Sequence, residues 1–179
     1  MDEQNETISY LSHCKICGND NLKKVIKLNE QYISATFIKS NLESDLKKIK
    51  TPLTLSLCAD KSGTKGCGHL QLHEIINPDL LYTNYFYRSA TSDTMRKDLK
   101  NVVDSVVKIV KPNAKDIVVD TGSNDCTLLN FYSGGLRLVG FEPAKNIKYI
   151  DEGKNITVIP NYFNAKNFKD NFNKKAKII

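Results

Sequence analysis

Two groups of residues in this chain could do chemistry. The first is a set of thiols: Cys14-Lys-Ile-Cys17 followed by Gly18, then Cys58, then Cys67 followed by Gly68 and His69. Zinc takes four tetrahedral nitrogen or sulfur ligands, and two cysteines separated by two residues can grip one ion from a tight turn. Cys14, Cys17, Cys58 and Cys67 together supply four thiolates, so a structural zinc site is expected. The pairs lie forty residues apart, and Asp60 to Gly66 must loop out between Cys58 and Cys67. That spacing leaves open that His69 or His13 replaces one cysteine. Four reduced thiols without metal are the competing reading. In a cytosolic chain, spacing of this kind argues for metal before disulfide.

The second group starts at Ile117-Val-Val-Asp120-Thr-Gly122-Ser-Asn124-Asp-Cys126. It reads as a short buried strand running into a tight turn. A dinucleotide site of Rossmann type needs three glycines at fixed offsets to approach the pyrophosphate. Only Gly122 is present, with Asn124 and Cys126 near the positions of the later glycines, which weakens NAD or FAD. Glu142 lies 22 positions after Asp120, at the end of the next strand. A carboxylate there can accept both hydroxyl hydrogens of a ribose. The plainer reading is an acid at a helix N-terminus beside Pro143. Asn161, Tyr162 and Phe163 follow the third strand, where adenine contacts would fall, although Phe163 could equally be core. Cys126 reads as a small residue in a glycine position; a reactive thiol at a helix N-terminus is the alternative.

These groups need elements to hold them. Residues 1–12 are expected to be a loose tail. Leu22 to Ile38 mixes short apolar and polar stretches. Pro52-Leu-Thr-Leu-Ser-Leu57 alternates as a strand does and runs into Cys58; Gly68 to His73 alternates again. A strand, a turn carrying thiols and a returning strand make a zinc-ribbon-like hairpin. Asn77-Pro78-Asp79 signals a helix start, opening an aromatic segment from Leu80 to Arg88. A second helix begins near Ser92 or Asp93. Met95, Leu99, Val102, Val103, Val106, Val107 and Val110 form one face of it, and Pro112 ends it.

Beyond Pro112, strands at 117–120, 136–142, 156–160 and 176–179 alternate with helices at 126–132, 144–152 and 166–175. Such alternation means a parallel sheet with helices on both faces. The fold class expected is α/β. It comprises a zinc module over residues 13–76, a helical connector over 77–111, and a partial Rossmann-like sheet over 112–179.

Bulk properties exclude several classes. The chain has 179 residues and 40% apolar content, enough to build a core. It contains no apolar run of membrane-spanning length. The start, Met-Asp-Glu-Gln-Asn-Glu, lacks the positive charge and apolar middle of a signal peptide, so a cytoplasmic protein is expected. The net charge is +6, but of 26 basic residues only Arg88, Arg96 and Arg137 are arginines. Arginine is the usual reader of base edges and phosphates, so a solvated lysine-rich surface is preferred over nucleic-acid binding.

Several motifs together resemble the N-terminal part of the NDP-sugar C-methyltransferases. They are the two thiol pairs with Gly18 and Gly68-His69-Leu-Gln-Leu72, Asn77-Pro-Asp-Leu-Leu81 and Tyr85-Phe-Tyr87-Arg-Ser89. Thr94-Met95, Asp120-Thr-Gly-Ser-Asn-Asp125 and Gly140-Phe-Glu142-Pro-Ala144 complete the set. The resemblance covers Cys14 to Ile179 and rests on order and spacing rather than on any one motif. It implies zinc and S-adenosylmethionine (SAM) as cofactors. The cofactor residues would be Asp120, Gly122, Ser123, Asn124, Glu142, Pro143 and Asn161. Tyr87, then Tyr85, would face the substrate, although a buried aromatic is the plain alternative for each.

The implied reaction is methyl transfer to C3 of a 4-keto sugar nucleotide, where the ketone acidifies the C3 proton and a base removes it. The family continues past the fourth strand with histidine and tyrosine groups and a further domain. The expectation from that is a piece that is inactive alone: a fragment, a remnant, or one half of a split gene whose second polypeptide supplies the rest. A zinc-ribbon module binding protein or nucleic acid is the competing class; the Asp120–Glu142 pair separates the two, because such a module has no need of it.

Overall fold

The computed structural model describes residues 7–33, 49–61 and 63–179, which divide into two compact units, 1–81 and 82–179. No helix among them is long and apolar enough to cross a membrane.

In the first unit, strands β2 (Leu22–Tyr32), β3 (Lys50–Cys58) and β4 (Leu70–Leu72) form one antiparallel sheet in that order. The hairpin expected around the thiols is therefore present, with Leu55, Ser56 and Leu57 opposite Leu72, Gln71 and Leu70. β2 adds a third strand on the far side of β3. Of the mixed stretch from Leu22 to Ile38, the last five positions lie outside the described residues, as do positions 1–6 of the expected tail. The rest of that tail is not loose. Ile8–Tyr10 forms β1 and pairs antiparallel with β5 (Glu74–Ile76). Three residues are too few to show a period, and the partner is remote in sequence, so only tertiary pairing reveals this strand.

The alternation in β3 has an unexpected polarity. Thr54 and Ser56 are buried, whereas Leu53, Leu70 and Leu72 are exposed. The polar face is covered because the chain at His73 and Glu74 closes its hydrogen bonds. The Thr54 N–H donates to Glu74 Oε2 at 2.8 Å, and the His73 N–H donates to the Thr54 carbonyl at 2.9 Å. Period alone states that two faces differ, not which of them is covered.

Helix α1 (Pro78–Tyr82) starts as expected, with Asn77 Oδ1 accepting from the Asp79 N–H. It does not continue to Arg88. Residues 83–88 are irregular and lead to a 3₁₀ turn at Ser89–Thr91. Helix α2 (Asp93–Val110) is capped by Ser92, whose side chain accepts from the Met95 N–H, and it ends at Lys111 in a left-handed conformation. Along the predicted apolar face Val103 is buried, Met95, Leu99, Val106 and Val110 are half-buried, and Val102 and Val107 are exposed.

Strands β6 (Ile117–Thr121), β7 (Arg137–Phe141) and β8 (Thr157–Ile159) form a parallel sheet in the order β6-β7-β8. On the free side of β6, Val118 forms a parallel bridge with Ile178, and the Val119 N–H donates to the Ile178 carbonyl at 3.0 Å. The terminal segment thus lies beside the first strand, on the side away from β7. Helix α3 (Thr127–Asn130) is shorter than predicted and closes with 3₁₀-type bonds at Phe131 and Tyr132. Helix α4 (Ala165–Asn171) is capped by Asn164 and also stops early.

The helix expected over 144–152 is absent. Its backbone groups are drawn to distant partners instead of to the i−4 carbonyl. The Lys145 N–H donates to the Thr83 carbonyl, the Ile150 N–H to the Asp125 carbonyl and the Glu152 N–H to Asn130 Oδ1, while Asn130 Nδ2 donates to the Ile150 carbonyl. These backbone groups are satisfied by tertiary bonds, which compete with the helical ladder.

The core follows strand alternation. Val118 and Leu138 pack with Val103, Cys126, Leu129 and Tyr132 on one face. Ile117, Val119, Val139 and Phe141 pack with Phe172 on the other. Leu129 is wholly buried. Leu129→Ala should destabilise this unit by about 2–5 kcal/mol, measured by urea unfolding followed at amides of β6 and β7; an unchanged midpoint would show that the packing is wrong.

Candidate metal centre and candidate cofactor cleft

The sequence brings the four thiols together by two similar turns. In the first, the Gly18 N–H donates to the Cys14 carbonyl at 3.0 Å; in the second, the Gly68 N–H donates to the Cys58 carbonyl at 3.1 Å. Gly18 and Gly68 have φ of 75° and 73°, a region that costs a side-chain-bearing residue 1–2 kcal/mol or so. β3 delivers Cys58, and the turn before β4 delivers Cys67. All four Sγ atoms lie within 4.8 Å of one another, with 3.6 Å between Cys14 and Cys67 and between Cys17 and Cys58. A tetrahedron with zinc–sulfur bonds of about 2.3 Å has edges of about 3.8 Å, so the set fits zinc. The cluster is made of thiols alone; neither His13 nor His69 belongs to it.

The thiols do not share their protons evenly. Cys14 is lowered to about 6, chiefly by a backbone hydrogen bond from Cys17. At Cys58 the largest single influence, a backbone hydrogen bond at Cys67, pulls the pKa down. Burial and the neighbouring thiols outweigh it and raise Cys58 to about 12. Four ionised sulfurs at this spacing require a cation, which zinc would supply.

The second unit holds a cavity of about 500 Å³ beyond the C-terminal ends of β6, β7 and β8. Thr121, Gly122, Asn124, Phe141, Glu142 and Pro143 line one part of it, and Tyr82, Tyr85, Tyr162 and Phe163 the other. Ligands of open parallel sheets settle at this end, where the loops leave the strands. Phe163 stands edge-on to Phe141 at 5.2 Å between ring centres, so it serves the core and the cavity together.

Glu142 is buried, and both of its oxygens are engaged. Oε2 accepts from the Asn124 N–H at 2.7 Å, and Oε1 accepts from the Ala144 N–H at 2.9 Å. Each carboxylate oxygen retains a second lone pair, so the group can still accept from a ligand. No helix follows Glu142, so the helix-terminal reading of this acid fails. Asp120 stands on β6 in register with Gly140 on β7. Burial, and then the Glu142 charge, raise its carboxyl to about 6.

The other expected residues are placed as follows. Gly122, with φ of 83°, makes the turn into the cavity wall. Ser123 is buried beneath the loop against Gly140, where a side chain on the glycine would come within 2.4 Å of Ser123 Oγ. Asn161 forms the turn after β8, its Oδ1 accepting from the Tyr162 N–H, and Tyr162 rather than Asn161 lines the cavity. Tyr85 lines the cavity; Tyr87 is half-buried beside it, with its carbonyl accepting from Asn124 Nδ2 at 3.0 Å. Tyr82, Thr121 and Phe141 were not foreseen as lining residues. Cys126 is fully buried with φ of 68°, the backbone expected of a glycine position. Burial pushes its thiol up to about 11, which argues against a reactive role.

The two units together define a class: a zinc-binding unit followed by an α/β unit with a cavity at its strand ends. Residues 14–82 match the Methyltransf_13 family, described as a zinc binding domain. Over 157 residues the chain is 24% identical to C-methyltransferase NovU of Streptomyces niveus; the match covers 87% of this chain and 36% of that protein. The chain is thus similar to a C-methyltransferase over most of its own length, and it spans about a third of the length of the curated relative it matches.

Two outcomes test this geometry. The purified chain should carry about one zinc ion per molecule, and Cys14→Ser or Cys58→Ser should lose it and unfold the first unit. Elemental analysis finding no zinc in protein prepared without chelator would refute the assignment. Asp120 has a folded pKa above its unfolded value, so its contribution is full below about pH 4 and is lost as the pH rises through about 6. Asp120→Asn should therefore stabilise the second unit at pH 8 by up to about 3 kcal/mol and flatten its stability between pH 4 and 7; identical pH profiles for variant and parent would refute this.

Proposed function

We propose that the second unit binds SAM and that the protein is a SAM-dependent C-methyltransferase acting on a nucleotide-linked 4-keto sugar. The observation that carries the reading is the cavity at the ends of β6–β8. It places a glycine turn at Gly122, a buried carboxylate at Glu142 and aromatic rings at Phe163 and Tyr162 around one space. A cofactor without phosphates needs no three-glycine cradle, which agrees with a loop carrying only one glycine. In this reading Glu142 accepts from the ribose hydroxyls, Pro143 and Phe163 flank the nucleoside, and the loop from Asp120 to Asn124 takes the methionine part. Bound there, the cofactor would supply the methyl group.

Tyr85 and Tyr87 are assigned to the sugar, Tyr85 by its place in the cavity wall and Tyr87 by its neighbourhood. A phenol with a pKa of about 10 is a poor base at neutral pH, so these tyrosines orient the substrate rather than abstract its C3 proton. The zinc unit is assigned a structural role: all four metal positions are filled by thiolates, leaving none open for a substrate. Reduced thiols and a nucleotide-linked substrate fit a cytoplasmic protein. The domain limits proposed are 13–76, 77–111 and 112–179, with the sheet Rossmann-like in its strand order. We further propose that methyl transfer requires more polypeptide than these residues.

Calorimetric titration of the full chain should show SAM binding, and Glu142→Ala should weaken it at least tenfold while zinc content stays unchanged. Tighter binding of NADH than of SAM would overturn the reading in favour of a dinucleotide.

A further inference from the structure

Asn124 does more than line the cavity. Its backbone lies in the left-handed region, with φ of 51°, a conformation that asparagine tolerates better than other residues bearing a side chain. Its N–H is held by Glu142. Its side-chain amide faces the other way, toward the aromatic segment. Nδ2 donates to the Tyr87 carbonyl at 3.0 Å, and Oδ1 accepts from the Ser89 N–H at 3.2 Å. The neighbouring Asp125 is buried, and its Oδ2 accepts from the Ala90 N–H at 2.9 Å.

The segment from Tyr85 to Ala90 has almost no regular structure of its own, so its polar backbone groups depend on such partners. Arg88 supplies a further set from outside. Its guanidinium donates to the carbonyls of Tyr85 at 2.7 Å, Tyr87 at 2.9 Å and Asn146 at 2.8 Å. Asn146 Nδ2 in turn donates to the Tyr85 carbonyl at 3.1 Å. The aromatic wall is therefore tied at Tyr87 and Ser89 to the loop after β6, and at Tyr85 to the turn after β7.

We propose that Asn124 is a positioning residue that fixes the Tyr85–Ser89 segment on the cofactor loop, so that the substrate wall takes its place only when that loop is ordered. Asn124 meets Glu142 through its backbone and the wall through its side chain. Whatever tightens the Glu142 end therefore also tightens the aromatic end. Glycine at this position would keep the left-handed backbone and delete the latch, whereas alanine would add strain and confuse the two effects. The proposal rests on SAM as the ligand of the cleft only for its second consequence; the first concerns the ligand-free chain.

The experiment is amide hydrogen exchange, read residue by residue in the full zinc-loaded chain. In Asn124→Gly the Ser89 amide should exchange at least tenfold faster, while amides of β6 and β7 stay unchanged. Ala90, which is held by Asp125, should change less. Asn124→Asp keeps the acceptor for Ser89 but loses the Nδ2 donor to the Tyr87 carbonyl, so it should restore at most part of the Ser89 protection. Unchanged Ser89 exchange in the glycine variant would overturn the proposal. Saturating SAM should further slow Ser89 and Ala90 in the parent chain and not Ser89 in Asn124→Gly. Binding without that slowing overturns the linkage between cofactor and wall. Absence of SAM binding overturns the cofactor reading alone, because the ligand-free comparison of Ser89 already decides the latch.

Discussion

One carboxylate ties together the end of the sheet on which the second unit's cavity depends. Glu142 accepts an N–H from the loop after β6 and another from the turn after β7, so both strand ends are fixed by one buried group. Charge-assisted hydrogen bonds of this type are about twice as strong as neutral ones. They set the path of the chain at Asn124, and from Asn124 the side-chain amide carries the order outward to Tyr87 and Ser89. Asp125 and Asn130 extend the same pattern through the neighbouring loops, holding Ala90, Ile150 and Glu152.

The first unit obeys a different constraint. Among its described residues several apolar side chains of the sheet are exposed, and a polar strand face lies inside. A core of that kind contributes little against the entropy of ordering the chain. A metal held by the four thiols would add stability, because metal binding free energy becomes folding free energy when the site exists only in the folded state. The match to a zinc binding domain family over residues 14–82 agrees with this physical need.

The two units are held by different means. In the first unit four thiols converge on one point, whereas in the second the Asn124 side chain bonds the backbone of the Tyr85–Ser89 segment. The two units share little in composition of their interiors: sulfur and buried hydroxyls in one, branched and aromatic side chains on both sheet faces in the other.

Much of this was legible in the chain itself. Paired thiols with trailing glycines determine a metal centre, since few other arrangements tolerate four cysteines at that spacing. The apolar runs at Ile117, Leu138 and Ile156 determine parallel strands, and Ser92 and Asn77 mark helix starts by local capping chemistry. Cys126 was legible as a glycine position because a small residue stands where the turn demands positive φ. What the tertiary structure decided were outcomes of competition between local and distant hydrogen bonds. The segment 144–152 has helical periodicity yet forms no helix, because Asp125 and Asn130 claim its backbone. Ile8–Tyr10 has no period yet forms a strand, because β5 supplies a partner. The burial of Thr54 over Leu53, and the turning of Asn124 toward Tyr87, depend on groups remote in sequence, and no local pattern encodes which remote group wins.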